Sequence, residues 1–166
     1  MKRLFYLLTA VMVLILSCQP KTKVVKVDLN AAKAEVSQFL DEYYNAMHSK
    51  DVSSISQYFT DNALILGTDP KEFWSKDETI KMMTQMFADT SFKFSYTIDK
   101  REILVEKSGN AAIAIEQMTI PFISKKIPCR CTYHLVKNEV GWQFDFTNSS
   151  LIPFNEDLSK INKSLE

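Results

Sequence analysis

The stretch "FLDEYYNAMHSKDVSSISQYFTDNALILGTDPKEFW", residues 39–74, decides the fold of this chain. Apolar residues recur at spacings of three and four in its first part, which predicts an amphipathic helix over residues 31–49 with Asn30 as N-cap. A second short helix is predicted from Asp51, and "ALILG", residues 63–67, is typical of a short buried strand. The predicted buried stripe of the first helix contains Val36, Phe39, Leu40, Tyr43 and Met47.

The chain changes character on the C-terminal side of this stretch. "SKDETIKMMTQMFAD", residues 75–89, predicts another helix with an acid-rich first turn and Ser75 or Asp77 as its cap. Long strand-like runs follow, and we predict turns at "TDNA", "SGN", "SKK" and "NEVG". The four predicted strands cover residues 92–106, 111–122, 127–137 and 142–153. Helices first and antiparallel strands last predict an α+β fold with helices on one face of a curved sheet.

The N-terminus, "MKRLFYLLTAVMVLILSC", has two basic residues and then an apolar run of 13 residues. This length suits a signal peptide better than a membrane span. The ending, a small residue and then Cys18, resembles a bacterial lipoprotein box, which implies cleavage before Cys18 and lipidation of its thiol. A plain signal anchor, or cleavage elsewhere, are the alternatives. Because Gln19 follows the cysteine without an acidic retention signal, the resemblance implies the periplasmic face of the outer membrane.

The predicted organisation is therefore one folded domain behind an anchor. Residues 1–17 form the signal peptide, residues 18–30 a tether, residues 31–154 the α+β domain, and residues 155–166 a polar tail. The chain carries 20 basic and 20 acidic residues without a basic stripe, so we expect no nucleic-acid partner.

Two further cysteines, Cys129 and Cys131, fall on one face of the third predicted strand. We interpret both as small apolar core residues, because a disulfide between them needs an approach that this spacing does not favour. A C-x-C metal site is the alternative, but no second pair completes it. The sequence contains no recognisable phosphate loop, catalytic triad or metal motif, so we predict no metal and no cofactor.

Residues 33–153 resemble SnoaL-like domains of the nuclear-transport-factor-2-like superfamily, most closely in residues 39–74 and in "GWQFDF", residues 141–146. The resemblance implies a cone, in which a strongly curved antiparallel sheet wraps around the N-terminal helices and leaves a pocket at its open end. Some members, ketosteroid isomerase among them, perform acid-base chemistry there. Others bind small ligands, and many only dimerise through the sheet, so the fold alone does not name the function.

Two carboxylates near the implied pocket mouth, Asp69 and Glu72, are the candidate catalytic residues. In the functional interpretation one of them acts as a general base in a desolvated setting against Trp74. In the structural interpretation Gly67 permits a turn, and Asp69 and Glu72 stand at capping-box spacing around Pro70. The sequence favours the turn and leaves open whether the protein is an enzyme.

The candidate ligand-binding residues are mainly aromatic. Tyr43 follows the inward stripe of the first helix, and Trp74 is expected to cover the pocket as a lid. Along the last strand, alternate residues from Trp142 to Ser150 are predicted to share one face that is apolar inside and polar at its rim. The members of this predicted face are Trp142, Phe144, Phe146, Asn148 and Ser150. Many SnoaL-like sequences carry a histidine near Asn148, and its absence here weakens an acid-base function.

Three charged or titratable residues have no predicted side of the sheet. Glu116 or Gln117 must face inward unless a bulge intervenes, and a buried Glu116 would need a partner such as Arg130. Arg130 and His134 share a strand face that is either a pocket wall or the outer surface. The sequence therefore predicts a small-molecule binder for a mostly apolar ligand first. An isomerase or dehydratase, with Tyr43 donating to an oxyanion, and a homodimerisation module are the alternatives.

Overall fold

The computed structural model describes residues 27–166. The predicted signal peptide, the lipid anchor at Cys18 and most of the predicted tether lie outside these residues. Within them, none of the helices is both long enough and apolar enough to span a membrane.

Four helices and a single 3-10 turn form the helical part of the described chain. They are α1 (Leu29–Ser49), α2 (Val52–Gln57), α3 (Lys76–Ala88), the 3-10 turn Asn155–Asp157 and α4 (Leu158–Ser164). The predicted cap of α1 is wrong, because the Asp28 carboxylate accepts the N–H groups of Asn30 and Ala31 at 2.9 and 3.1 Å. Ser75 caps α3 as predicted and forms a capping box with Glu78.

Six strands form one curved sheet in the order β2-β1-β6-β5-β4-β3. Their bounds are β1 (Phe59–Leu66), β2 (Phe73–Ser75), β3 (Thr97–Val105), β4 (Ala111–Ile120), β5 (Ser124–Asn138) and β6 (Gly141–Leu151). The α+β prediction is confirmed, but the sheet is not purely antiparallel, since β1 pairs parallel to β6.

Several local predictions about strands and turns are wrong. The three-residue strand β2 was not predicted, and residues 60–63 continue β1 instead of turning the chain. The "SKK" stretch begins β5, because Pro121 ends β4 and the turn falls at residues 121–123. An irregular register between Phe59 and Leu64 accommodates the polar residues of β1.

The core lies between α1 and the inner face of the sheet. Phe144 is fully buried, and its ring centroid lies 4.9 Å from Phe39, 5.0 Å from Tyr43 and 5.4 Å from Phe59. These rings close the cone beside the middle of α1. Cys129 and Cys131 are buried free thiols, so their predicted place in the core is confirmed.

A β-bulge in β6 changes which of its side chains face inward. Phe144 pairs with Leu135 and Phe146 pairs with His134, so Asp145 is an extra residue in β6. Inward residues before the bulge are even-numbered, and after it they are odd-numbered. The prediction that Trp142, Phe144, Phe146, Asn148 and Ser150 share one face is therefore wrong beyond Phe144.

Candidate functional site

A cavity of about 420 Å³ opens at the wide end of the cone, between α1, α3 and the inner face of the sheet. The strand register places its sheet wall in two adjacent inward rows. Trp74, Ile65, Thr147 and Tyr133 follow one row from β2 to β5. Ser149 and Cys131 lie in the next row, which continues to Glu116 on β4 and Arg101 on β3.

The apolar wall of the cavity is rich in methionine. The described residues contain five methionines, and all of them line the cavity. They come from α1, α3 and β4, and they are Met47, Met82, Met83, Met86 and Met118. Phe59, Phe94 and Ile120 complete this wall, and Phe122 stands at the mouth with 47% of its surface exposed. Flexible thioethers allow such a wall to adapt to the shape of an apolar ligand.

Two tyrosines that line the cavity, Tyr44 of α1 and Tyr133 of β5, are joined by their hydroxyl oxygens at 2.7 Å. The Tyr44 hydroxyl also donates to the Glu116 carboxylate. Both rings are almost fully buried. We call the part of the wall formed by Tyr44 and Tyr133 the cavity floor. The floor is polar at these two hydroxyls, and Tyr44 connects it to the Glu116 carboxylate behind the wall.

Glu116 is fully buried, and its charge is balanced by Arg101. The Arg101 Nε donates to the second carboxylate oxygen of Glu116 at 2.5 Å. The Arg101 Nη1 contacts the Asp41 carboxylate at 2.8 Å and the Ser37 hydroxyl at 2.9 Å, both on α1. This network ties β3, β4 and α1 together behind the cavity floor.

Burial determines the protonation of the tyrosines around the cavity. Loss of water contact raises the pKa of Tyr43, and burial together with the nearby Glu116 charge raises the pKa of Tyr44 well above its usual value. Burial likewise raises the pKa of Tyr133. All three hydroxyls therefore stay neutral at physiological pH and are available for hydrogen bonds.

The mouth loop, residues 67–72, holds the two predicted catalytic carboxylates, and its own backbone engages both. The Glu72 Oε2 accepts the Asp69 N–H at 2.9 Å, and the Asp69 Oδ1 accepts the Lys71 N–H at 2.8 Å. Gly67 is required by close packing, since a Cβ there would lie 2.0 Å from the Glu72 Oε2. Glu72 lines the cavity, whereas Asp69 is exposed and does not.

The structure brings three of the predicted site residues to the cavity, namely Tyr43, Glu72 and Trp74. Asp69, Trp142, Phe144 and Asn148 are not part of its wall. Trp142 packs near the N-terminal half of α1, where its indole N–H donates to Glu35 at 3.1 Å and Lys137 lies 5.6 Å from its ring centroid. Asn148 follows the bulge and pairs with Thr132 on the outer face.

Arg130 and His134 also lie on the outer face, which answers the question that the sequence left open. Arg130 pairs with Gln117 and donates to its side chain at 3.2 Å. The His134 Nδ1 lies 2.6 Å from the Asp145 Oδ1, on the bulged residue of β6. The suggested partnership of Glu116 with Arg130 is therefore wrong, and Arg101 takes that place.

Sequence reasoning missed Arg101, Tyr44 and Tyr133. One signal was available for Arg101, because counting outward equally from the Ser108–Gly109 turn leads from Glu116 to Arg101. No comparable local signal joins Tyr44 to Tyr133, since they are 89 residues apart. Among residues 27–166 no group of three or more His, Cys, Asp or Glu side chains is placed to hold a metal ion.

A family model for the SnoaL-like domain matches residues 36–155. The chain belongs to the SnoaL-like domain family. The match covers α1 from Val36 onward, the residues that line the cavity and all six strands. No curated protein matches this SnoaL-like chain.

Solved structures share the fold of this SnoaL-like chain at low identity. An NTF2-like protein of unknown function from Pseudomonas putida is 15% identical, with a TM-score of 0.62 over 76% of this chain and 89% of that one. A candidate scytalone dehydratase from Novosphingobium aromaticivorans is 10% identical, with a TM-score of 0.61 over 74% and 85%. A candidate association domain of calcium/calmodulin-dependent protein kinase II from Xanthomonas campestris is 19% identical, with a TM-score of 0.58 over 72% and 86%. At these identities the likeness shows the fold alone.

Proposed function

We propose that this SnoaL-like protein binds a small, mostly apolar molecule in the methionine-lined cavity while a lipid on Cys18 holds it in the cell envelope. The observation that carries the ligand proposal is the wall itself, which gathers every methionine of residues 27–166 around a space of about 420 Å³. That volume lies in the range of small-molecule sites, roughly 300–1,000 Å³. This wall contains two of the predicted ligand-binding residues, Tyr43 and Trp74, and one predicted catalytic residue, Glu72.

The composition of the wall supports an apolar and flexible ligand. Side chains of two helices and five strands converge on the cavity, and most of them end in methyl, methylene or aromatic groups. The polar groups are fewer, and they come from the sheet, the two helices and the mouth loop. They are Tyr133, Thr147, Ser149, Tyr43, Tyr44, Thr79, Thr68 and Glu72. A large apolar wall with a few convergent polar groups is typical of a binding site that orients one end of its ligand.

Native mass spectrometry of the chain from Gln19 onward, produced in a bacterial envelope, tests this proposal. We expect extra mass that leaves on gentle activation. Ser149→Phe fills the cavity and should abolish the extra mass, whereas Ser150→Phe places the same ring on the exposed outer face and should retain it. Equal retention by the two variants would place the ligand elsewhere and contradict the proposal.

The envelope location rests on the N-terminal sequence, where an apolar run ends in Ser17-Cys18. Lipid chains on Cys18 would anchor the domain without a spanning helix. Metabolic labelling with an alkyne fatty acid should mark the full chain and fail to mark the Cys18→Ser variant. Labelling of both forms, or of neither, would remove this part of the proposal.

The second candidate function is an isomerase or dehydratase. Glu72 favours it because this carboxylate lines the cavity, and one fold neighbour is named as a candidate scytalone dehydratase. The bond from Glu72 to the Asp69 N–H argues against a base that is free to move. A substrate identified by mass should be converted by the wild-type chain and not by Glu72→Gln. Equal conversion by both would exclude Glu72 as the base.

A homodimer through the sheet is compatible with either function. An outer row of side chains crosses five strands. It consists of four apolar residues, Leu104, Ile113, Phe146 and Leu64, together with His134. Leu104 is 58% exposed, and Ile113 and Leu64 about 40%. Charges of both signs accompany the row, such as Lys100 with Glu102 at 3.4 Å, so two copies would not repel each other strongly.

Sedimentation analysis of wild type and two variants tests the homodimer. Ile113→Lys places a charge in the outer row and should give a monomer. Val140→Lys places the same charge at a turn residue that is 80% exposed, and it should leave the mass unchanged. A wild-type chain that stays monomeric at high concentration would contradict the homodimer.

A further inference from the structure

We propose that the cavity floor is a hydrogen-bond acceptor, so that the cavity prefers an apolar alcohol or phenol to the corresponding ketone. The inference rests on the proposed ligand-binding function and specifies the chemical class of the ligand. It follows from counting the hydrogens along the chain Arg101–Glu116–Tyr44–Tyr133.

The count begins at the charged end of this chain of hydrogen bonds. Arg101 keeps its proton in proteins, and its Nε donates to Glu116 at 2.5 Å, so Glu116 is a carboxylate that only accepts. Tyr44 has a single hydroxyl hydrogen, and Tyr44 donates it to the other oxygen of Glu116. Tyr44 therefore has no hydrogen left for Tyr133.

The hydroxyl oxygens of Tyr44 and Tyr133 lie 2.7 Å apart, so one of them donates to the other. Because the Tyr44 hydrogen is directed at Glu116, Tyr133 is the donor in this pair. The Tyr133 oxygen keeps lone pairs but has no free hydrogen. Toward a ligand, the Tyr133 end of the hydrogen-bond chain is therefore an acceptor.

A ligand hydroxyl that donates to Tyr133 would extend the chain without breaking any of its bonds. Each bond in such a chain polarises the next, and the Glu116 charge at its end strengthens the series. A ketone oxygen can only accept, so it would draw the Tyr133 hydrogen away from Tyr44. The lost bond lies in a buried setting where an unmade hydrogen bond is costly.

Other hydroxyls of the wall are potential donors to a ketone. The Thr79 hydroxyl donates to the Ser75 carbonyl at 2.9 Å, so its hydrogen is engaged. Tyr43, Thr147 and Ser149 line the same cavity outside the tyrosine chain and are competing donors. Tyr58→Phe is the matched control for Tyr133→Phe, since it removes one tyrosine hydroxyl that does not line the cavity.

Calorimetric titration with 2-decanol and 2-decanone measures the preference. Residues 27–166 contain every helix, strand and core residue described above, so the chain from Gln19 onward carries the whole cavity. We expect the wild-type chain to bind the alcohol more tightly. The ratio measured is the dissociation constant of 2-decanone divided by that of 2-decanol. Tyr133→Phe should reduce this ratio by about tenfold, which corresponds to one lost hydrogen bond.

Comparing ratios between variants removes the difference in hydration of the two probes, because that difference is the same in every titration. Tyr58→Phe should keep the wild-type ratio, and Tyr44→Phe should lower it, because the Tyr133 hydrogen is then free for a ketone. A ratio that is unchanged in Tyr133→Phe, or that falls equally in Tyr58→Phe, would overturn the acceptor floor alone. If neither probe binds the wild-type chain, the ligand proposal falls and the acceptor floor falls with it.

Discussion

One carboxylate lies at the mouth of the cavity and another lies behind its floor, and the two carboxylates are stabilised in different ways. Glu72 in the mouth loop accepts a backbone N–H from a residue three positions earlier. Glu116 behind the floor has no exposed surface and is held by Arg101 from β3 and Tyr44 from α1. A carboxylate at a solvated turn needs only its own loop, whereas a buried charge needs partners from distant parts of the chain.

This difference reverses the expectation drawn from the sequence. The acids of "GTDPKEFW" attract attention because they are close together in the chain, but that closeness serves the turn. The polar chemistry of the floor comes from residues 44, 101, 116 and 133, which only the fold brings together. Four changes test the contrast between floor and mouth.

The largest effect is expected in the floor. Arg101→Met leaves Glu116 buried without its cation, which typically costs about 3–5 kcal/mol of the free energy of unfolding. Urea denaturation of both chains measures the loss. Adding Glu116→Met should recover much of it, because the unpaired charge is then gone. Lys160→Met, at an ion pair whose lysine is 81% exposed, is the control and should change stability by less than about 1 kcal/mol.

If the Arg101→Met chain were no less stable than the double variant, the buried pair would not be the basis of the floor's stability. The comparison also requires that the double variant remain folded. A cooperative urea transition for each chain checks this.

The second effect is expected at alkaline pH, which should lower the free energy of unfolding through the buried tyrosines. The folded pKa values of Tyr43, Tyr44 and Tyr133 are raised by burial, while an unfolded tyrosine has a pKa of about 10. Above that pH the unfolded chain releases protons that the folded chain keeps, so stability is complete below about pH 10 and falls as pH rises. Each buried tyrosine contributes a slope of about 1.4 kcal/mol per pH unit.

Denaturation at a series of pH values, followed by tyrosinate absorbance, measures this slope. Tyr43→Phe should reduce this slope by the contribution of one tyrosine. Tyrosinate absorbance that appears fully near pH 10 without loss of structure would show that these side chains are in contact with water, contrary to the structure.

A smaller effect is expected in the mouth loop. A Cβ at Gly67 would meet the Glu72 carboxyl carbon at 2.7 Å and its Cβ at 2.9 Å, so Gly67→Ala forces Glu72 to move. We expect a loss of about 1–2 kcal/mol in the free energy of unfolding, as is usual for overpacking. In a Glu72→Ala background the same change should cost less, which a double-mutant cycle measures. Equal losses in the two backgrounds would contradict the close packing of Gly67 on Glu72.

The smallest effect is expected at Asp69. This residue is exposed, and its side chain serves only the turn, through the Lys71 N–H. Asp69→Asn should change the free energy of unfolding by less than about 0.5 kcal/mol and should leave ligand binding unchanged. Thermal denaturation and native mass spectrometry check the two expectations. A loss of bound mass in Asp69→Asn would restore the mouth loop as a functional element.

Much of the local structure was predictable from the sequence, because it depends on neighbouring residues. The stripe through Val36, Tyr43 and Met47 follows the helical period and predicts the buried face of α1. The "SGN" turn fixes a hairpin, and its register contains the pairing of Arg101 with Glu116. The capping box likewise depends only on Ser75 and Glu78, which are three positions apart.

Part of the candidate site was predictable for the same reason. Tyr43 follows from the stripe, and Trp74 follows from its place beside the turn after β1. The errors in β6 have a specific cause, because the extra residue at Asp145 changes the side of every later residue. Alternation along the strand therefore predicted Asn148 for a cavity wall that Thr147 and Ser149 occupy.

The main helices, the long strands and the α+β class could be predicted from the sequence alone, since these depend on periods of two and of about three and a half residues. The position and lining of the cavity depend on tertiary structure, which the sequence patterns do not contain. The tertiary structure set the strand order, introduced the bulge, gathered five methionines from three elements and joined Tyr44 to Tyr133. The physical reason is that a buried charge and an apolar wall are satisfied by partners across the fold, and their positions along the chain do not contain that pairing.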